Sequence, residues 1–292
     1  MRAMRGHPAL RDHLVGPIKS RVRGGVVATG RPMNGKEVLH MLNWLTAVAS
    51  VVLKMFVPAD QRLAMNELHL DTIDGRLGET YFFDTPDLTL FRHGLVMRAR
   101  RTRGADDETV VRLRPAVPTT LSRAVRGSRD FKVEMDVTPG AYMLSAALEA
   151  RRPVGAVRRT LSNNRPLEQL FSRQQRAFFA EHAPAGVDWN ALVPLGPALV
   201  VALKPVTGAL SERSTVEQWY FPGEIPLIEV STVVTPGDAL GVVANDVKFL
   251  RRCWVTAPDV RERSMRRALE LFASGLPGAY ERHRLAGRSD NH

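Results

Sequence analysis

YFFDTPDLTLFRHGLVMRAR, residues 81–100, decides how this chain is read. An apolar run ends in Asp-Thr-Pro-Asp, a compact segment closes at Gly94, and a second run carries Arg98 and Arg100. Such punctuation predicts strand, turn and strand. Side chains alternate across a strand, so Arg98 and Arg100 project to the same side. Two guanidiniums side by side repel, and a fold keeps such a pair when a carboxylate or a bound anion sits between them.

The same alternation recurs on both sides of this block. Arg112 and Arg114 alternate with Val111 and Leu113, and Lys132, Glu134 and Asp136 alternate with Phe131, Val133, Met135 and Val137. Lys204 ends the run VVALK, and Glu229 and Ser231 alternate with Ile228 and Val230. Strands are predicted at 49–57, 78–84, 95–103, 108–115, 129–137, 198–204, 215–221 and 226–234, helices at 37–48, 59–72, 167–183, 237–252 and 259–273. Many strands without βαβ alternation argue for an α+β fold around an antiparallel sheet or barrel.

Each strand thus has one apolar and one ionic face. An ordinary half-buried sheet would turn the ionic face to water. A closed barrel covered by helices would turn it inward, where Arg and Lys grip phosphate oxygens and carboxylates hold a divalent cation. The pattern alone leaves both arrangements open.

Bulk composition narrows the classes. The 292 residues, 44% hydrophobic, suffice for one large domain or two small ones. The pI of about 10.6 points to an anionic partner. Residues 1–36 hold eight Lys/Arg and one acid, and residues 261–292 hold seven Arg and four acids. The body between them keeps 26 basic and 25 acidic side chains, so its cations act through placement rather than total charge. Nucleic acid is accordingly expected only at the basic tails. A lone cysteine, Cys253, excludes an internal disulfide and fits a reducing, cytoplasmic setting. The apolar stretch 41–57 contains Asn43 and Lys54 and is shorter than the ~20 residues a spanning helix needs, so no membrane segment is expected. Neither a P-loop, nor a dinucleotide fingerprint, nor a paired-histidine zinc motif occurs.

The block at 81–100, followed by TVVRLRP and FKVEMDV, resembles the CYTH superfamily, the triphosphate tunnel metalloenzymes. LFSRQQRAFFAEHAPAGVDWNALVPLGP, residues 170–197, is similar to a helical insertion of its bacterial members, and YFPGEIPLIEVST at 220–232 is similar to a late strand. This resemblance implies an eight-stranded antiparallel tunnel with helices outside, binding a triphosphate-containing small molecule with Mg²⁺ or Mn²⁺. Inorganic triphosphate, polyphosphate or a nucleotide would be the ligand. The implied activity is phosphoric anhydride hydrolysis, with class IV adenylate cyclase or a catalytically silent binding module as alternatives. It divides the chain into a basic extension with a short helix (1–48), a tunnel domain (49–256, insertion about 140–196) and a C-terminal helix and tail (257–292).

Carried over residue by residue, the phosphate grips would be Lys54, Arg98, Arg100, Arg112, Arg114, Lys132, Lys204 and Arg213, and the metal ligands Glu134, Asp136 and Glu229. One departure matters. The family opens on Glu-x-Glu-x-Lys, whereas this chain has Ser50, Val52 and Lys54. Two anionic ligands are absent from the first strand, and Ser231 replaces a frequent later glutamate.

Overall fold

The computed structural model describes residues 26–28, 34–58, 70–138, 141–205, 213–239, 241 and 260–276. Ten strands are described: β1 Val26–Ala28, β2 Ser50–Pro58, β3 Leu70–Asp84, β4 Leu95–Thr102, β5 Asp107–Leu113, β6 Phe131–Thr138, β7 Ala141–Arg152, β8 Val193–Pro205, β9 Ser214–Tyr220 and β10 Leu227–Val234. The α-helices are α1 Gly35–Trp44, α2 Thr89–Arg92, α3 Arg123–Arg126, α4 Ala156–Ser162, α5 Arg173–His182 and α6 Val260–Ser274.

Strands pair in the order β7-β5-β4-β3-β8-β9-β10-β2-β6, and β6 returns to β7 to close the circle. Closure removes the exposed edges that an open sheet would present. The barrel therefore has nine strands, not the eight expected, and β2 runs parallel to β6 while its other pairings are antiparallel. All eight strands read from sequence are present. The ninth is β7, which falls in what was read as the start of a helical insertion. Its sequence, AYMLSAALEARR, is rich in helix formers. It is buried on both faces, so no alternation betrays it, and tertiary context overrides local preference. Part of the basic extension also joins the sheet, since β1 pairs with β7. The helix expected at 59–72 falls mostly outside the described residues, but from Leu70 onward the chain is strand. The helix expected at 237–252 lies almost wholly outside them. Among the described residues no helix is long and apolar enough to cross a membrane.

Two apolar clusters show which way the barrel faces. The larger joins Val51, Leu53, Met97, Ala99, Val111, Val133, Met135, Leu144, Ala146 and Leu148 of the strands to Met41 of α1, Val157 of α4 and Phe178 and Phe179 of α5. These strand positions alternate with the ionic ones, so the apolar faces point outward and the helices cover them. Gln175, fully buried, fixes the insertion in place. Its Nε2 donates to the Thr109 and Leu148 carbonyls at 2.9 and 3.0 Å, and its Oε1 accepts from Thr109 Oγ1 and from Ser172 N, both at 2.9 Å. Ser172 in turn caps α5. Trp189 packs on Phe171 and Phe179, with ring centroids 5.3 and 4.6 Å apart.

The second cluster is inside, at one end. Phe56, Phe82, Ala198, Val200, Trp219 and Leu227 meet Leu88 and Phe91 of the β3–β4 connection and Met265, Ala268 and Leu269 of α6. Helix α6 thus lies across that end of the barrel. Arg266 stacks over the Phe91 ring at 5.5 Å and Arg267 reaches Glu224 at 3.2 Å. Full burial of side chains such as Met265 and Leu269 contributes ~1.5–3 kcal/mol each.

The β3–β4 connection is a built turn. Asp84 Oδ1 accepts from Thr85 N and Leu90 N at 2.7 and 2.8 Å, and Oδ2 accepts from Phe91 N at 2.9 Å. Gly94 closes the segment at φ +78, and a Cβ there would stand 2.0 Å from the Arg114 carbonyl oxygen. Arg114 N donates to Gly94 O at 2.8 Å, which locks the turn against the end of β5. Two outcomes are expected. Gly94→Ala lowers the chemical-denaturation free energy by more than the ~1 kcal/mol cost of a left-handed alanine, because main chain blocks the methyl group. Asp84→Asn, which sets an amide against an amide, costs ~1–3 kcal/mol in the same measurement.

Candidate functional site

The inward faces of the strands carry the ionic side chains. Register fixes this: Lys54 on β2 is opposite Ser231 on β10, Arg100 on β4 lies between Thr80 on β3 and Glu108 on β5, and Arg112 on β5 is opposite Ala147 on β7. Along β4, Arg98 and Arg100 are half-buried while Met97 and Ala99 are buried outward. Contacts that skip strands confirm that these side chains meet inside. Arg100 crosses two intervening strands to hold Glu217 of β9 at 2.5 and 3.3 Å. Arg112 passes β7 to reach Glu134 of β6 at 3.1 Å.

Arg112 is the hub. It also lies 3.9 Å from Asp136 and 3.6 Å from Glu149 of β7. Lys54 Nζ sits 2.8 Å from Asp136, joining β2 to β6 across the parallel pairing. Glu149 is shared further, with Lys132 at 3.3 Å. Burial opposes the charge on Arg112, but Asp136, Glu134 and Glu149 outweigh it and raise its pKa. Burial likewise opposes charge on Arg100, and Glu217 restores it. Burial alone would raise the Asp136 carboxyl, yet Lys54 and Arg112 hold it below the usual range. All three groups are therefore ionised at neutral pH. Exposure grades along the wall, from mostly buried Arg112 to Glu149 at 31% and Lys132 at 50% of the side chain.

The sequence-derived grips are thus distributed unevenly. Lys54, Arg100 and Arg112 converge in the interior. Arg98 occupies an inward position opposite Phe82 and Val110. Arg114 follows β5 and acts electrostatically on Asp136. Lys132 stands at the exposed side, with Glu149. Arg213 lies on an exposed turn before β9, 3.6 Å from Asp238. Lys204 is on β8 in register with Asp71, and its side chain lies outside the described residues. The basic tails beyond Val26 and Leu276 also lie outside them, and with them the nucleic-acid expectation.

Glu134, Asp136 and Glu229 do not assemble into a metal site. Among the described residues no three carboxylate, His or Cys groups approach closely enough to hold one ion. Glu134 accepts from Arg112 and, at 3.4 Å, from Ser50; Asp136 is held by Lys54; Glu229 Oε1 accepts from Ser231 Oγ at 3.3 Å. Ser50 and Val52 lie in register with Glu134 and Asp136, where two further carboxylates would be needed. Among the described residues, this set of donors, already paired with Arg112, Lys54 and Ser231, does not fit a resident divalent cation.

Three carboxylates were missed by sequence reasoning. Glu149 was hidden by the helical reading of β7. Glu217 was visible in STVEQWY as an acid alternating with Val216, and Glu108 in DETVVRL alternates with Thr109, but nothing local ties either to Arg100. Asp84 behaves as the turn residue that its Pro-flanked position suggests. Trp44, Trp189 and Trp219 all pack in or against the apolar clusters.

No family model and no curated protein matches this chain. Solved structures do resemble it. A candidate adenylyl cyclase from Hippeastrum, described as having a dominant triphosphatase activity, aligns at 18% identity over 68% of this chain and 86% of its own, with a TM-score of 0.45. A candidate adenylate cyclase from Bacillus halodurans aligns at 12% identity over 74% and 97%, with a TM-score of 0.48. A Pyrococcus horikoshii protein aligns at 11% identity over 70% and 92%, with a TM-score of 0.37. At these values the likeness is one of outline, and the fold rests on the strand pairing itself. The closed nine-stranded sheet, with ions inside and helices outside, is established by its own pairing.

Proposed function

We propose that the barrel binds a triphosphate-containing small molecule, inorganic triphosphate or a nucleotide, in its ionic interior. One observation carries this: Lys54, Arg100 and Arg112 converge inside a closed sheet at positions that retain some solvent exposure. Guanidinium forks suit phosphate oxygens, and low local dielectric strengthens each contact. Arg112 and Arg100 would hold successive phosphoryl groups, Lys54 would add a point charge, and Arg98, Arg114 and Lys132 would complete the wall. Phosphoric anhydride hydrolysis is the activity to which this arrangement is suited, since concentrated positive charge stabilises the oxygens of a transferring phosphoryl group. Mg²⁺ or Mn²⁺ would arrive already bound to the polyphosphate, as part of the substrate.

A second function, binding without turnover, is favoured by Ser50 and Val52. Neither supplies the anionic ligands that would position a cation against the scissile bond. Both versions require the same grip. Arg112→Ala should weaken tripolyphosphate at least about tenfold in calorimetry, the loss of one charge-assisted contact of ~1.5–3 kcal/mol. Phosphate release from tripolyphosphate, ATP and thiamine triphosphate with Mg²⁺ or Mn²⁺ separates hydrolase from binder. If tripolyphosphate neither binds nor raises the melting temperature under any metal condition, the proposed function is wrong.

A further inference from the structure

The interior is not a bare cationic socket. Lys54, Arg100, Arg112 and Lys132 already have carboxylates beside them. Arg112 is faced by Glu134 of β6 and Glu149 of β7 at 3.1 and 3.6 Å, Arg100 by Glu217 of β9, Lys54 by Asp136 of β6, and Lys132 by Glu149. Glu108 and Glu229 add negative potential at Arg100, and Glu229 does so at Arg112. A polyanion entering this space meets guanidiniums that already have acidic neighbours. To bind, its oxygens must take over those donors and push the carboxylates aside.

We infer that Glu149 and Glu217 are resident counter-anions that the incoming polyphosphate displaces from Arg112, Lys132 and Arg100, rather than members of a metal site. This deepens the triphosphate-binding proposal and rests on it. Both glutamates are suited to the role. Glu149 is the most exposed acid of the network and bridges two cations. Glu217 grips Arg100 with both oxygens, at 2.5 and 3.3 Å. Exchange of this kind selects by charge. A monophosphate, at about −1.5 to −2 near neutral pH, barely matches the charge of the two carboxylates, whereas a triphosphate exceeds it and spreads it over several phosphoryl groups. The carboxylates also keep the empty barrel from repelling itself, since clustered guanidiniums without partners would oppose folding.

The two possible roles of these acids predict opposite signs. A displaced counter-anion competes with the ligand, so neutralising it tightens binding. A metal ligand or ligand-positioning acid supports binding, so neutralising it weakens it. The test is calorimetric titration of the full chain with sodium tripolyphosphate, in EDTA and in Mg²⁺, comparing wild type with Glu149→Gln and Glu217→Gln. Each variant is expected to bind at least about fivefold more tightly than wild type in EDTA, with phosphate gaining least and tripolyphosphate most. Glu149 is half-exposed, so its variant carries the test even where Glu217→Gln, which deprives Arg100 of its partner, fails to fold. Weaker or unchanged binding in folded Glu149→Gln, or a gain seen only with Mg²⁺, overturns the inference while leaving triphosphate binding intact. No binding by wild type or either variant in both buffers removes the triphosphate proposal and this inference together.

Discussion

Burying charge inside a closed sheet is the constraint on which this structure depends. Desolvating an ion costs several kcal/mol even after relaxation, and only close, well-oriented partners offset it. The barrel meets that requirement by facing strands of opposite sign across its interior. Lys54 meets Asp136, Arg112 meets Glu134, and Arg100 meets Glu217 across two intervening strands. Register and closure are therefore coupled to charge matching. A slip of one residue in β4 would place Arg98 and Arg100 among the outer apolar side chains and Met97 and Ala99 inside.

The outer layer follows from the same inversion. With ions inside, the apolar faces of β4, β5, β6 and β7 need cover, which α1, α4 and α5 supply. Gln175 shows how the cover is held: a fully buried amide satisfies carbonyls on two neighbouring strands while closing its own helix cap. Such a polar rivet carries a desolvation cost unless every bond is made, which favours one seating of the insertion over alternatives.

Legibility in the sequence varied with the physics behind each feature. Eight strands were readable because one face meets side chains of different polarity from the other, leaving a period of two. β7 was not, because its outward face meets helices and its inward face carries Ser145 and Ala147, so both sides look small and apolar. With β7 went Glu149, an acid that links two of the predicted cations. Arg98, Arg100 and Arg112 were recoverable from alternation, but whether they faced water or one another was a question of closure, which no local pattern encodes. Arg213 shows the same limit, since a cation before a strand looks the same in sequence whether it points into a barrel or pairs, as here, with Asp238 on an exposed turn. Composition supplied Glu134 and Asp136 as carboxylates, but only geometry reveals that Arg112 and Lys54 stand beside them.

Helix α6 gives the barrel a dry floor. Phe56, Phe82, Trp219 and Leu227 beneath it contain little that could replace water around an anion. A ligand of the proposed kind, entering from the opposite side, would meet the ionic belt before it met this apolar end.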